Sequence, residues 1–148
     1  MKEYASISIS RSDYLSVISG RILTCNSSPI DEIKLVNRGL TSKWVMAFAN
    51  LMHWELYFFA KLLGTTKGSL IINKNKRLSK QISENAIEIA KLSELGVRYF
   101  GSVDNWNIWL RTPNLQLNGM PPSTIIGSIR GRESIKNIIN RLKFGFTA

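Results

Sequence analysis

Four glycines divide this sequence into helical lengths. Gly39, Gly64, Gly101 and Gly145 each follow a stretch whose apolar residues recur three and four positions apart. A glycine just past such a stretch ends a helix, because it takes the left-handed conformation without a Cβ penalty. Val45, Phe48, Ala49 and Met52 form one such face, and Leu56, Phe59, Ala60 and Leu63 repeat it. Ile82, Ala86, Ile89 and Leu92 carry a longer one towards Phe100, and Ile135, Ile138, Ile139 and Leu142 carry the last. No strand pair and no internal repeat is evident. The expected fold is all-α, made of short helices joined by tight turns.

Helix starts are marked as clearly as the stops. Ser28 precedes Pro29, Asp31 and Glu32, a capped start with acids in the first turn. Thr65-Thr66 offers a cap for a short helix over Lys67–Asn73, Ser79 for the long helix, and Asp104 for NWNIWLR, which must stop before Thr112-Pro113. Asn118-Gly119 reads as a turn, and Pro121-Pro122 as the start of a short helix through Ile125 and Ile126. The Ser-rich residues 1–28 are weakly patterned and read as an extension with some short structure.

Several function classes drop out. The single cysteine, Cys25, allows no intrachain disulfide, and one Cys with one His, His53, does not make an ordinary zinc site. No metal or cofactor site is expected. No apolar run approaches the ~18 residues of a membrane helix, and the N-terminus has no secretory apolar block. The expected location is the cytoplasm, with no membrane partner. His53 has no nucleophile or metal spacing around it and reads as structural. Cys25 has only Arg21, four residues away, to lower its pKa. There is no glycine-rich phosphate loop and no paired-carboxylate signature, so the chain is not expected to be an enzyme.

The formal net charge of +10 points to an anionic or acidic partner. Residues 1–35 are balanced, with four basic and four acidic side chains. Residues 36–92 hold nine basic against three acidic, and residues 93–148 seven against three. Lys67, Lys74, Lys76, Arg77 and Lys80 form the densest run, without an acid among them. Taken alone such a run is a solvated face. Its position after two short helices changes the reading. Ala60 stands four residues before the turn glycine Gly64, the arrangement of a helix-turn-helix, with Lys67–Asn73 as the second helix. Gly68 and the apolar Ile71-Ile72 leave Lys67, Ser69, Asn73 and Lys74 as base- or phosphate-reaching candidates, joined by Lys76 and Arg77. The same spacing serves a helix pair used only for dimerisation.

The block from Phe100 to Ala148 is a second helical unit. Trp106, Trp109 and Leu110 bring large apolar area to a short helix, as core or as contact surface. At the end of the chain Phe144 and Phe146 straddle Gly145, either docked on their own core or offered to a partner.

The segment SELGVRYFGSVDNWNIWLRTPNLQLNGMPPSTIIGSIRGRESIKNIINRLKFGFTA resembles the toxin-binding domain of Xre/MbcA/ParS antitoxins. Its most specific piece is Trp109-Leu110-Arg111-Thr112-Pro113-Asn114, followed by Gly119, by Pro122 before Ile125-Ile126, by Gly131, and by Arg141-Leu142-x-Phe144-Gly145. Upstream, Gly39-Leu40 through Arg77-Leu78-Ser79 is similar to the family's Xre-like helix-turn-helix, including Leu62-Leu63-Gly64. The resemblance implies an Xre-like domain over 38–100, a toxin-binding domain over 101–148, and an N-terminal extension over 1–37. It implies the antitoxin of a type II pair that blocks the active site of a NAD-consuming RES-domain toxin. It also implies a homodimer within that complex, able to bind operator DNA and repress its own operon. The implied toxin contacts are Trp109, Arg111, Asn114, Arg141, Lys143, Phe144, Phe146 and Ala148. The alternative is a helix-turn-helix repressor without toxin neutralisation. The family commonly carries Thr and Arg where Gly68-Ser69-Leu70-Ile71-Ile72 stands, and an acid where Lys143 stands.

Overall fold

A computed structural model describes residues 14–145. All regular structure among them is helical. A helical turn at 14–18 precedes α1 (Pro29–Arg38), α2 (Ser42–Leu51), α3 (Leu56–Leu63), α4 (Lys67–Ile72), α5 (Lys80–Phe100), α6 (Val103–Arg111) and α7 (Ile129–Lys143). Two 3₁₀ turns, Leu115–Leu117 and Pro122–Thr124, lie between α6 and α7. Only two isolated β-bridges occur among the described residues, Thr41 with Arg77 and Asn114 with Met120. The chain divides into two compact units, one ending at Lys91 and the other beginning at Leu92, so that α5 belongs in part to each.

The first unit is built on the apolar faces legible in the sequence. Val45, Phe48, Met52, Phe59, Leu63, Leu70 and Ile89 are almost fully buried. Phe48, Trp54 and Phe59 meet at ring separations of 5.5–5.9 Å in edge and tilted arrangements, which favour aromatic quadrupoles over face-to-face stacking. Ser28 caps α1 in a reciprocal pair with Asp31, and Gly39 ends the helix. Leu40 N–H, left over beyond that end, donates 2.9 Å to the buried Ser83 hydroxyl of α5.

Several expectations needed correction. Residues 14–23 are not peripheral to this core: Tyr14, Leu15, Ile18 and Leu23 are buried in it, and Gly20, at φ +61, lies so close to Trp44 that a Cβ would stand 2.2 Å from the ring. Four apolar residues scattered among serines are too few to register as periodicity, yet they are enough to cover a gap. Ser102, not Asp104, caps α6, accepting from Asn105 N–H at 3.0 Å. Asp104 instead sits in the first turn, where its charge complements the helix dipole. The helix read through Ile125-Ile126 is only a 3₁₀ turn, and His53 is exposed at φ +57 just beyond α2. No helix among the described residues is long and apolar enough to cross a membrane.

Candidate functional site

Two surfaces carry the residues that the sequence singles out, one in each unit. In the first unit, α3 and α4 flank Gly64, which adopts the left-handed conformation (φ +79, ψ 27) and donates to the carbonyls of Ala60 and Lys61. Nothing lies within 4 Å of where its Cβ would be. The glycine is therefore required by backbone conformation, not by space. Thr66 caps α4 by accepting from Ser69 N–H, and Leu70 anchors the helix in the core. The rest of α4 faces outward: Lys67 and Gly68 are exposed, and Ile72, 83% exposed, projects next to Ile71.

The basic run after α4 has a structural duty that its charge conceals. Thr41 makes no side-chain cap on α2. Instead the carbonyls of Lys76 and Lys74 accept from Ser42 N–H (3.0 Å) and Lys43 N–H (2.9 Å), satisfying donors that a helix start leaves open. Asn73 Oδ1 accepts from Asn75 N–H and shapes the turn. Arg77 Nη1 donates 2.9 Å to the Gly39 carbonyl, and its guanidinium lies 5.2 Å from the centroid of the Trp44 ring. Of the six residues proposed from the sequence to meet DNA, Lys67, Lys74 and Lys76 present exposed ammonium-bearing chains. Asn73 and Arg77 are exposed as well, each with one side-chain bond inside the fold, and Ser69 is half-buried with its N–H bonded to the Thr66 hydroxyl.

In the second unit, α6 packs its tryptophans in a ladder. Trp106 is fully buried and nearly parallel to Trp109 (5.6 Å, 13°), and both stack on Phe100. The close approach depends on Gly96 of α5, where a Cβ would stand 2.3 Å from the Trp106 ring. Glycine in a helix interior costs about 1 kcal/mol in propensity, which the burial of an indole outweighs. Trp109 thus serves the ladder first and shows only part of its ring to solvent.

The chain leaves α6 where Pro113 forbids continuation. Thr112 Oγ1 donates 2.6 Å to the Ile108 carbonyl. Asn114 then organises the next loop: its Oδ1 accepts from Gln116 N–H (2.8 Å), its carbonyl accepts from Gly119 N–H, and its own N–H donates to Met120. Its side-chain oxygen and main-chain groups build a turn. This loop buries Leu117 and turns the other way at Leu115, which is 92% exposed, and at Met120.

The last helix starts at an unusually close contact. Ser128 caps α7 by accepting from Gly131 N–H at 3.0 Å, and a Cβ on Gly131 would lie 1.7 Å from the Ile125 carbonyl oxygen. Beside it Arg132, itself buried, donates to the Ile126 carbonyl at 3.2 Å. Ile135, Ile138 and Ile139 face inward. Arg141, Lys143 and Phe144 face outward, and Phe144 is 77% exposed. Arg141 Nη1 reaches Gln116 Oε1 at 3.3 Å and so ties the end of α7 to the loop that carries Leu115. Arg111, also exposed, ends α6. Phe146 and Ala148 lie outside the described residues.

The structure thus brings Arg141, Lys143 and Phe144 to one helix end and adds Leu115 and Met120, which sequence reasoning missed. A Leu-x-Leu segment does not tell which leucine is buried; the Asn114 turn decides it. Among the described residues no group of histidine, cysteine and carboxylate side chains is placed to hold a metal. A search of curated proteins returned no match to this chain. Residues 95–145 match the family model described as the antitoxin Xre/MbcA/ParS C-terminal toxin-binding domain. That span begins inside α5 and closes on Gly145, enclosing the tryptophan ladder, the Asn114 loop, the Gly131 contact and the outward-facing end of α7, so that this third of the chain is similar to the toxin-binding domain of those antitoxins.

Proposed function

We propose that this chain is the antitoxin of a type II toxin–antitoxin pair, and that its C-terminal domain neutralises a RES-domain, NAD-consuming toxin by covering the entrance to the active site. The observation that carries the reading is the end of α7. In a domain of toxin-binding type, an aromatic side chain and two cations stand exposed at the last helical turn, with the chain continuing to Phe146 and Ala148. An exposed aromatic ring gains more from burial in a partner than almost any other side chain. Arg141 and Lys143 supply charge that attracts an acidic rim. In this reading residues 101–148 bind toxin and 38–100 serve as the helix-turn-helix and dimerisation part, with 1–37 as an extension whose residues 14–23 complete the core of the first unit. The chain performs no chemistry of its own and works in the cytoplasm. Removing residues 144–148 and following NAD loss in cells that co-express the toxin tests this. The truncated chain is expected to leave NAD consumption running. Intact neutralisation would exclude the tail mechanism.

A second activity, operon repression by a homodimer, is supported by exposed Lys67, Lys74 and Lys76 around α4. With Ile71 and Ile72 outermost and Arg77, though exposed, tied to the Gly39 carbonyl, contacts to phosphate outweigh contacts to bases. A gel shift on the chain's own promoter, titrated with salt, is expected to weaken with a slope of about −0.9 per phosphate neutralised. No retardation even at low salt would exclude repression and leave the toxin reading standing.

A further inference from the structure

The second unit leaves apolar side chains uncovered and carries an excess of positive charge. Leu115 is 92% exposed, Phe144 77% and Met120 45%. Two bonds join these residues into one surface. The Asn114–Met120 bridge closes the loop that carries Leu115, and the Arg141–Gln116 contact fastens that loop to α7 one turn before Phe144. Positions three apart at the end of a helix share a face, so Arg141 stands between the loop and the aromatic ring. An almost fully exposed leucine on a tightly bonded turn contributes nothing to folding that a serine would not. Inside an interface it is worth about as much as a core leucine.

The charge of the unit is one-sided, and one of its bases, Arg141, is tied to the loop itself. Six exposed bases stand against two exposed acids among the described residues of this unit. We infer that Leu115 is an anchor of the toxin interface, paired with Phe144 across Arg141. The toxin surface that receives them is then an apolar depression with an acidic rim. The inference rests on the antitoxin reading and adds to it Leu115, which the sequence did not single out, as the apolar contact of the Asn114 loop beside the C-terminal tail.

The test uses the full-length chain and the purified product of the adjacent reading frame, with binding followed by calorimetry and by stopped-flow association. Leu115→Ser is expected to melt as the wild type does and to weaken binding roughly 30-fold, the loss expected for one buried leucine. Ile33→Ser, at an exposed apolar position in the first unit, is the control and is expected to bind normally. Arg141→Glu is expected to slow association roughly tenfold at low salt and less at high salt, as loss of steering towards an acidic rim requires. Wild-type affinity in Leu115→Ser overturns the anchor while leaving the antitoxin reading intact. Association of Arg141→Glu at the wild-type rate overturns the acidic rim. A wild-type chain that does not bind the neighbouring product at all overturns both readings.

Discussion

Gly131 has no room for even one methyl group. The Ile125 carbonyl occupies the space its Cβ would need, and the Ser128 hydroxyl closes another side. Both obstacles belong to a capped turn that cannot move without opening the start of α7. Gly131→Ala is therefore expected to destabilise the chain by about 3 kcal/mol, the upper range for forced overpacking, as read by denaturant melts. A loss below about 0.5 kcal/mol, typical of unconstrained surface positions, would show that the turn yields. Glu94 makes the opposite kind of prediction. Burial raises its pKa above the ordinary value of 4.5, although Arg98, 3.7 Å away, pulls in the other direction. A carboxyl held above its unfolded value stabilises the fold below pH 4.5 and loses that contribution as pH rises through the folded value. Glu94→Gln is thus expected to melt higher than the wild type at pH 7 and level with it at pH 4. A lower melting temperature at pH 7 would mean that the Arg98 attraction dominates.

Helix ends, more than helix interiors, organise this protein. Ser28, Thr66, Ser102 and Ser128 each cap a helix; the first two are legible in the sequence, Ser102 takes the place expected of Asp104, and Ser128 is not foreseen there. The start of α2 is different: its open donors are taken by main-chain carbonyls from the Lys74–Lys76 turn, more than thirty residues downstream. Arg77 pins that turn through the Gly39 carbonyl and the Trp44 ring. Arg77→Ala is expected to cost about 2 kcal/mol through the lost hydrogen bond and cation–π contact, and to raise amide exchange at Ser42 and Lys43. If exchange there stays slow, the turn holds without its arginine. Arginine and lysine in this run read alike in the sequence as candidate phosphate contacts. Only the structure shows that Arg77, exposed like Lys74 and Lys76, also bonds the Gly39 carbonyl and lies over the Trp44 ring.

For the whole molecule the dominant physical fact is charge. A net +10 on 148 residues repels itself when compact more than when unfolded. The melting temperature at pH 7 is accordingly expected to rise between about 10 mM and 150 mM salt, where the Debye length falls to ~8 Å, and then to level off. A fall over that range would mean that attractive pairs such as Lys91 with Glu32 (2.6 Å) outweigh the general repulsion.

Helix identity and helix limits were legible in this sequence because both are local. A 3.6-residue period and a glycine or capping residue act within one or two turns, and the order of Trp109 to Asn114, Gly119, Pro122 and Gly131 sufficed to point to the domain that residues 95–145 match. Tertiary structure decided which side chains those elements spend on themselves. It buried Tyr14, Leu15, Ile18 and Leu23, tied Asn114 and Arg77 to nearby main chain, and left Leu115 in solvent. The reason is that burial and hydrogen-bond satisfaction are settled by neighbours distant in sequence, to which no local pattern refers.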